Sequence, residues 1–276
     1  MTDQASKHRT FRDLHDRQGA FVMPNPWDAG TARILTALGF EALATTSAGL
    51  AFSVGRRDSA ASLTRDEVLA NARAIVEATH LPVSADLEDG FGPRPETCAK
   101  TIRLAAGVGL VGGSIEDATG DPAEPIYAFQ HAVERVAAAV EEARRHPFIL
   151  TARAEGFLHG RPDLDEIIRR LQAFEAAGAD VLYAPGLPSL EAIRTVCAAI
   201  SRPVNVVMGL SAPTYTVEEL AEAGVTRISV GGSFARAALG ALVRAAREVK
   251  EHGTFTYAID AIPHAEASAY MPRAQR

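Results

Sequence analysis

The feature that most constrains the fold is a short apolar segment followed by an amphipathic one, repeated eight times along the chain. The apolar segments are apolar on both faces, which is typical of parallel strands covered by helices. They begin at Ala20, Ala42, Val83, Val111, Phe148, Val181, Val204 and Arg227. Eight such units in about 250 residues are what a closed (β/α)8 TIM barrel requires. We therefore predict this α/β fold as a single domain over residues 1–252, with residues 253–276 as a C-terminal tail.

Local signals support this alternation. Asp28 is a suitable N-cap for a helix at residues 29–38, and Thr64-Arg-Asp-Glu67 has the form of a capping box. We also predict a lead-in helix at residues 10–18 and a long loop after the second strand. The alternative fold is an open doubly wound sheet, which normally has fewer strands and a glycine-rich phosphate loop after the first. Pro24-Asn-Pro26 stands at that position here, which favours the barrel.

Composition narrows the possible partners. The 276 residues carry a formal net charge of -6 at pH 7, without the basic excess that nucleic-acid binding usually requires, so we expect no nucleic-acid partner. No segment approaches ~18 uninterrupted apolar residues, and the N-terminus lacks the apolar core of a signal peptide. These features predict a soluble, cytoplasmic protein without membrane contact. Cys98 and Cys197 lie in predicted amphipathic helices, where buried free thiols are expected.

The third apolar segment ends in the acidic sequence Asp86-Leu-Glu-Asp89. Ligands of parallel α/β folds collect at the carboxyl ends of the strands, and clustered carboxylates there suit Mg²⁺. The alternation of a strand would send Asp86 and Glu88 to one side and Asp89 to the other. We therefore predict Asp86 and Glu88 as metal ligands and a different role for Asp89. The alternative is a solvated acidic turn.

In a barrel of parallel strands, the carboxyl ends of all eight strands face one mouth. Arg153 follows the fifth strand, and its planar guanidinium matches a carboxylate or a phosphate. Other polar or small residues at strand ends are Asn25, Trp27, Asp28, Ser47, Ala48, Gly49, Asp58, Glu116, Asp117, Glu155 and Asn205. Each also has a structural alternative; Asp28, for example, is a helix cap, and Glu116 is a potential ion-pair partner of Arg153.

This set of residues contains no His or Cys, which disfavours zinc, whereas carboxylates fit Mg²⁺ or Mn²⁺. The predicted ligand is a small anion that also chelates the metal. A 2-oxo or 2-hydroxy acid meets both conditions, because its carboxylate and adjacent oxygen can bind one cation. The metal would then act as a Lewis acid as a neighbouring bond breaks.

Five motifs, in this order and spacing, resemble the isocitrate lyase / phosphoenolpyruvate mutase superfamily over residues 20–247. They are Pro24-Asn-Pro-Trp-Asp-Ala29, Thr46-Ser-Ala-Gly49, Ser84-Ala-Asp-Leu-Glu-Asp-Gly-Phe-Gly92, Ser114-Ile-Glu-Asp117 and Thr151-Ala-Arg-Ala-Glu155. The resemblance implies an Mg²⁺-dependent (β/α)8 barrel that makes or breaks C–C or P–C bonds of 2-oxo or 2-hydroxy acids through an enolpyruvate-like intermediate. It also implies a homodimer or homotetramer in which the eighth helix exchanges between subunits. Residues 233–246 independently carry more apolar surface than one outer helix needs.

The resemblance further implies a role for each matched residue. Asp86 corresponds to the direct metal ligand, and Glu88 replaces a second acid that is usually Asp. Asp58 and Glu116 correspond to acids that contact the metal largely through water molecules. The substrate-binding residues are the backbone cradle Ser47, Ala48 and Gly49, the anchors Arg153 and Asn205, and also Asp86 and Trp27. We assign catalytic roles to Asp58, Glu116 and Arg153.

One segment departs from the family pattern. In the lyases, a mobile loop after the fourth strand has a Lys-Cys-Gly-His type sequence whose cysteine is the proton donor, and in the mutases it carries Lys and Asn. Here residues 117–127 contain no Cys, Lys or Asn. Efficient isocitrate or methylisocitrate cleavage and phosphonomutase chemistry are both disfavoured as a result.

Three functional hypotheses remain. The first is an Mg²⁺-dependent lyase or decarboxylase acting on a small 2-oxo acid such as oxaloacetate, with the proton supplied by solvent or by a loop residue such as Tyr127. The second is a methylisocitrate-type lyase with a proton donor other than cysteine. The third is a non-catalytic protein that binds 2-oxo acids such as 2-oxoglutarate.

Overall fold

The computed structural model describes residues 3–59 and 62–271. Eight parallel strands form one sheet in the order β1-β8-β7-β6-β5-β4-β3-β2. The strands are β1 (Phe21–Met23), β2 (Leu43–Ala44), β3 (Val83–Asp86), β4 (Gly112–Glu116), β5 (Ile149–Arg153), β6 (Val181–Tyr183), β7 (Val204–Val207) and β8 (Arg227–Ser229). Each strand begins within one residue of its predicted start. The predicted (β/α)8 barrel is confirmed.

Helices connect the strands and surround the sheet. They are α1 (Gln4–Asp16), α2 (Ala29–Ala37), α3 (Ser47–Ser53), α4 (Arg65–Ala78), α5 (Pro95–Gly107), α6 (Phe129–Ala143), α7 (Leu164–Ala177), α8 (Leu190–Ala199), α9 (Val217–Glu222), α10 (Ser233–His252) and α11 (His264–Ala269). The capping boxes at Asp28 and Thr64 begin α2 and α4 as predicted. None of the helices in the described residues is both long and apolar enough to cross a membrane.

Hydrogen bonds between β1 and β2 complete the barrel. The backbone N–H of Ala44 donates to the carbonyl of Pro24 at 3.0 Å. The side chain of Asn25 donates to the carbonyl of Thr45 at 2.8 Å and accepts from the backbone of Val230 and Gly231. Asn25 therefore joins the ends of β1, β2 and β8, which is a structural role for this strand-end residue.

Helix α1 closes the amino end of the barrel. Phe11 is fully buried and, with Leu14, packs against residues of β1, β2 and β5. The ring contributes about 1.5–3 kcal/mol by its burial. Gly112 on β4 makes room for it, because a Cβ there would lie 2.8 Å from Phe11 Cε1. The predicted lead-in helix is thus confirmed, although it begins six residues earlier than expected.

Three features differ from the sequence-based expectations. The loop expected after the second strand contains α3, whose first turn is capped by the hydroxyl of Thr46. The tail beyond residue 252 contains a 3-10 turn (Thr256–Ile259) and α11, while its residues 272–276 lie outside the described range. Cys98 is buried as expected, but Cys197 is only half-buried. Burial raises the pKa of both thiols to about 11, so both are protonated at neutral pH.

His15 on α1 predicts a pH dependence of stability. Burial, and next the charge of Arg227, lower the pKa of His15 to about 3. The unfolded chain therefore binds a proton below pH 6.5 that the folded chain does not accept until about pH 3, so stability falls as the pH falls through this window. We expect His15 to cost about 2 kcal/mol of unfolding free energy between pH 6.5 and pH 5.

Denaturant unfolding of the wild type and of His15→Asn at both pH values measures this effect. Asn keeps a donor for the carbonyl of Phe11, which accepts from His15 Nδ1 at 2.7 Å. The variant should lose stability less steeply on acidification. An unchanged slope would show that His15 is not the residue responsible.

Candidate active site

The carboxyl ends of β3, β4 and β5 place three carboxylates around Arg153. Nη1 of Arg153 lies 3.0 Å from Asp86 Oδ1, Nη2 lies 3.2 Å from Glu116 Oε2, and Nε donates to Glu155 Oε1 at 2.8 Å. The parallel register pairs Glu116 with Arg153 directly, which explains their proximity. These three carboxylates and the guanidinium, which we call the acid cluster, form the centre of the mouth.

Asp117 and Arg170 hold Glu155 in place. The backbone N–H of Glu155 donates to Asp117 Oδ1 at 2.8 Å, and Arg170 Nη1 lies 3.3 Å from Asp117 Oδ2. Arg170 also donates to the carbonyl of Tyr127 at 3.0 Å. The buried pair of Asp117 and Arg170 thus fixes the orientation of Arg153 through Glu155 and connects it to the loop after β4.

The three residues of the predicted substrate cradle form the first turn of α3, and they do not all face the same space. Ser47 Oγ donates to Asp86 Oδ2 at 2.8 Å, and both residues line the mouth. Ala48 lines only the deeper part of the site. Gly49 is buried, and its N–H already donates to Thr46 Oγ1 at 3.3 Å. A Cβ at Gly49 would lie 2.8 Å from Trp27 Cβ. Glycine therefore allows α3 to pack closely against Trp27, which lines neither cavity described below.

Glu88 reaches the mouth by a route that strand alternation does not predict. Strand β3 ends at Asp86, and Glu88 lies in the following turn with a φ of 48°. The expected alternation of residues 86–89 is therefore wrong, because it assumed a longer strand. Glu88 and Asp89 both line the mouth. Asp89 Oδ1 also accepts from the N–H of Phe91 at 2.8 Å, which stabilises the turn.

Arg135 supports this turn from α6 and was not identified from the sequence. It is 1% exposed and donates to the carbonyls of Gly92, at 2.6 Å, and Asp89. Its guanidinium carbon lies 4.1 Å from the ring centroid of Tyr127. Arg135 thus joins the turn that carries Glu88 to the loop after β4.

The electrostatics of the mouth favour a bound cation. Burial, and then the charges of Asp86, Asp89 and Asp58, raise the pKa of Glu88 to about 8. Burial and the charge of Asp86 likewise raise the pKa of Asp58. Burial opposes the charge of Arg153, but Glu155, Glu116 and Asp86 nevertheless raise its pKa well above the usual value. One guanidinium therefore faces more carboxylates than it can neutralise.

The donor chemistry of these residues fits Mg²⁺. Asp86, Glu88, Asp58 and Glu116 all present carboxylate oxygens to the outer cavity, and hard cations prefer such ligands. Across residues 3–59 and 62–271, no three His, Cys, Asp or Glu side chains converge on one point suited to a metal. The geometry of the acid cluster explains this, since the Arg153 guanidinium lies between Asp86, Glu116 and Glu155.

Two cavities meet at the acid cluster. The outer one has a volume of about 1050 Å³ and contains Asp58, Asp86, Glu88, Glu116 and Arg153 in its lining. The inner one, of about 370 Å³, is lined partly by the same residues and by Asn205. All four predicted metal ligands therefore line the outer cavity, although within the described residues they do not converge on one metal position. Arg153 and Ser47 line both cavities, and Ala48 and Asn205 line the inner one. Of the predicted residues, Trp27 and Gly49 lie behind it.

The loop after β4 forms a small hairpin over the outer cavity. Ala118 and Ile126 form an antiparallel bridge, and the N–H of Tyr127 donates to the carbonyl of Asp117 at 2.8 Å. Tyr127 lines the outer cavity, and so does His159 from the 3-10 turn after β5. These two side chains bring proton-carrying groups to a mouth whose hairpin lacks a thiol.

The carboxylates and the arginine lie at the carboxyl ends of the parallel strands, which is where the active sites of (β/α)8 barrel enzymes are found. The phosphoenolpyruvate phosphomutase family model matches residues 11–250. The chain belongs to this family, within the PEP mutase/isocitrate lyase superfamily of lyases and mutases.

Individual relatives cover nearly the whole chain. A crystal structure of a candidate lyase/mutase from Burkholderia cenocepacia J2315 has a TM-score of 0.94 and 56% identity, covering 97% of this chain and 96% of that one. The 2-methylisocitrate lyase of Escherichia coli K12 is 28% identical over 92% of this chain and 88% of its own length. The structure of an oxaloacetate acetylhydrolase in complex with its product oxalate has a TM-score of 0.86 and 26% identity. The match covers 96% of this chain and 94% of that one.

Proposed function

We propose that the chain is a divalent-metal-dependent lyase or decarboxylase acting on a small 2-oxo or 2-hydroxy acid such as oxaloacetate. The observation that carries this proposal is the acid cluster, in which Arg153 contacts Asp86, Glu116 and Glu155 at the mouth. The similarity of the chain to an oxaloacetate acetylhydrolase and to a 2-methylisocitrate lyase supports the choice of a small 2-oxo or 2-hydroxy acid as substrate.

Four acids would hold Mg²⁺, or alternatively Mn²⁺: Asp86 directly, with Glu88, Asp58 and Glu116 around it. The metal would supply a Lewis acid beside the substrate oxygens, which is chemistry that stabilises developing negative charge. Ser47 orients Asp86 through the hydrogen bond from its hydroxyl. Glu155 holds the Nε edge of Arg153, while Nη1 and Nη2 contact Asp86 and Glu116. Each of these two nitrogens carries a second N–H, which can donate to a substrate carboxylate in the mouth.

The hairpin after β4 provides the setting for proton transfer. Tyr127 lines the cavity with its ring against Arg135, and burial raises the pKa of its hydroxyl. The hydroxyl is therefore protonated at neutral pH and able to donate. We assign the proton that replaces the broken bond to Tyr127 or to solvent beside it. The absence of a hairpin thiol from the sequence separates this chain from the cysteine-dependent lyases.

Product analysis tests the proposal. Oxaloacetate, 2-methylisocitrate and 2,3-dimethylmalate are incubated with the protein, with Mg²⁺ or with EDTA, and the products are identified by NMR. Pyruvate with CO₂ from oxaloacetate indicates decarboxylation, whereas oxalate with acetate indicates hydrolysis of an internal bond. Because Mg²⁺ alone decarboxylates oxaloacetate slowly, the Asp86→Asn protein serves as the background sample.

The outcomes distinguish the hypotheses. Metal-dependent turnover of any of these acids above the Asp86→Asn background supports an enzyme of this class. If the protein binds Mg²⁺ but converts no 2-oxo or 2-hydroxy acid, the proposal is wrong. Tight binding of 2-oxoglutarate or oxaloacetate without conversion would instead favour a non-catalytic binding protein.

We also propose that the protein is a homodimer or homotetramer that exchanges α10. Of the 20 residues of this helix only Ala235 is buried. Leu239, Leu242 and Val243 are exposed, Leu242 to 63%. An outer helix of a barrel normally buries an apolar stripe against its neighbours, so α10 leaves such a stripe uncovered.

Light scattering should therefore show a mass of two or four chains rather than one. Leu242→Asp is expected to shift the protein towards monomer at micromolar concentration, because a charge in an apolar interface is costly. Glu251→Gln, near the exposed end of the same helix, is the control and should leave the mass unchanged. A monomeric wild type would contradict the proposal.

A further inference from the structure

A small cavity lies at the amino end of the barrel, opposite the mouth. It has a volume of about 210 Å³ and lies between α1, the end of α6 and the segments that lead into β5 and β6. None of its lining residues lines either cavity at the mouth. We call it the amino-end cavity, and its polar lining residues are His8, Arg12, Arg144, His146 and Asp180.

Two arginines of the amino-end cavity lack an acceptor in the chain. Arg12 lies on α1, and Arg144 is the C-cap residue of α6. Within residues 3–59 and 62–271, neither guanidinium forms an ion pair or donates a hydrogen bond. Gly178 makes room for Arg144, because a Cβ there would lie 2.5 Å from its Nη2. The guanidinium of Arg144 is thereby held at the wall of the cavity.

His8 adds a nitrogen without a partner. Its Nε2 is buried and has no hydrogen-bond partner in the part of the chain that the structure describes. Burial, and next the charge of Arg12, lower the pKa of His8, while the charge of Asp180 raises it. The ring is therefore neutral at neutral pH and can carry its proton on Nε2. A buried polar nitrogen without a partner is costly, which favours a ligand that supplies one.

Asp180 is the acid that lines the cavity, and the backbone occupies one of its oxygens. Oδ2 accepts from the N–H of Leu150 at 2.8 Å. Burial raises the pKa of this carboxyl, whereas the hydrogen bond from Leu150 and the charges of Arg12 and Arg202 lower it. One carboxylate therefore faces Arg12, Arg144 and Arg202, and the cavity keeps an excess of positive charge.

His146 and Glu142 satisfy each other beside the cavity. Nε2 of His146 lies 3.1 Å from Glu142 Oε1, and Glu142 Oε2 lies 3.4 Å from Arg145. Glu142 therefore has its own cationic partner and leaves the excess charge of the cavity in place.

We propose that the amino-end cavity binds a phosphate dianion, either free or as the phosphoryl group of a small metabolite, through Arg12, Arg144 and His8. Guanidinium groups match phosphate oxygens, and a dianion offsets the two unpaired arginines. A volume of about 210 Å³ is several times the ~30 Å³ share of one water, so a phosphate group fits and can contact both arginines. The site is separate from the acid cluster and does not depend on the proposed function.

Calorimetry with inorganic phosphate tests the proposal on the full-length protein in EDTA, which keeps metal out of the acid cluster. All samples have the same ionic strength, because salt screens exposed charges. The wild type is expected to show saturable binding in the millimolar range. Arg12→Gln and Arg144→Gln should each weaken it by about tenfold, since each removes a charge-assisted contact.

Arg9→Gln is the matched control for Arg12→Gln. Arg9 lies on the same helix but does not line the cavity, and the change in charge is the same. Its affinity for phosphate should stay within about twofold of the wild type, because a distant exposed charge is screened. Thermal melts establish that each variant is folded before titration.

Asp86→Asn distinguishes the amino-end cavity from the mouth. If phosphate bound at the mouth, removal of a negative charge there would strengthen its binding, whereas a site at the amino end leaves the affinity unchanged. Tighter binding to Asp86→Asn would therefore overturn the proposal. Absence of saturable binding to the wild type would overturn it too, and so would binding that Arg12→Gln and Arg144→Gln leave unchanged.

Titration with glycerol 3-phosphate identifies the source of the phosphate group. Tighter binding of this ester than of inorganic phosphate, lost in Arg144→Gln, would support a phosphorylated metabolite as the ligand. Tighter binding of inorganic phosphate would support the free ion. Acetate, a monoanion, should bind at least about tenfold more weakly than inorganic phosphate, and equal affinity would show that the site does not select a dianion.

Discussion

Replacing Asp86 by asparagine is expected to lower the affinity for Mg²⁺ by at least about 100-fold, since even residues that only orient metal ligands are worth 10–100-fold. We expect kcat/KM to fall by about 1000-fold or more, because loss of a Lewis acid removes several kcal/mol of transition-state stabilisation. Asparagine retains the shape and one oxygen, which can still accept from Ser47 Oγ. Calorimetry with Mg²⁺ and steady-state kinetics measure the two effects.

Asp66→Asn is the matched control for this substitution. Asp66 lines the outer cavity but is exposed in the first turn of α4, away from the acid cluster. The Asp66→Asn variant should bind Mg²⁺ and turn over substrate as the wild type does. If Asp86→Asn retained full Mg²⁺ affinity, the metal would have to bind elsewhere, and the assignment of Asp86 as its main ligand would be wrong.

Replacing Arg153 by glutamine is expected to change stability, metal affinity and activity in different directions. The side chain is 14% exposed and contacts Asp86, Glu116 and Glu155. Removing it leaves these carboxylates unpaired, which should cost about 3–5 kcal/mol of unfolding free energy in EDTA. The extra negative charge should strengthen Mg²⁺ binding, so the metal should stabilise the variant more than the wild type. Activity should nevertheless be lost, because the substrate carboxylate loses its anchor.

Arg145→Gln is the control for Arg153→Gln. Arg145 also contacts carboxylates, at 2.8 Å from Glu141 and 3.4 Å from Glu142, but its own side chain is 61% exposed. Solvent screens these pairs, so their loss should change the unfolding free energy by no more than about 1 kcal/mol. Chemical denaturation in EDTA and in Mg²⁺ compares the variants. Equal stability of Arg153→Gln and wild type in EDTA would show that the guanidinium does not neutralise the cluster.

The sequence predicted the barrel well because its signals are local. Each strand is a short apolar segment, and Asp28 and Thr64 mark helix starts by their capping chemistry. Helix α3 was missed because Ser47-Ala-Gly49 has poor helix propensity. It forms because Thr46 caps it and Gly49 allows it to pack against Trp27. Such packing depends on residues 22 positions apart, which no local pattern contains.

The candidate site was predictable where residues occupy strand ends. Asp86, Glu116 and Arg153 end β3, β4 and β5, and the barrel topology alone brings them together. Glu88 was placed on the correct side for the wrong reason, because the end of β3 was not visible in the sequence. Arg135 was missed, since an arginine on a helix usually indicates an exposed surface. Only its burial and partners in the structure show what it does.

The closure of the barrel by α1 has a consequence for the catalytic cycle. Phe11 and Leu14 fill the amino end, so a molecule that enters through the mouth must leave by the same opening. Product therefore has to leave before the next substrate can bind, and the two cannot occupy the mouth at the same time. Product inhibition should be competitive, and slow escape past the hairpin after β4 would limit the turnover rate.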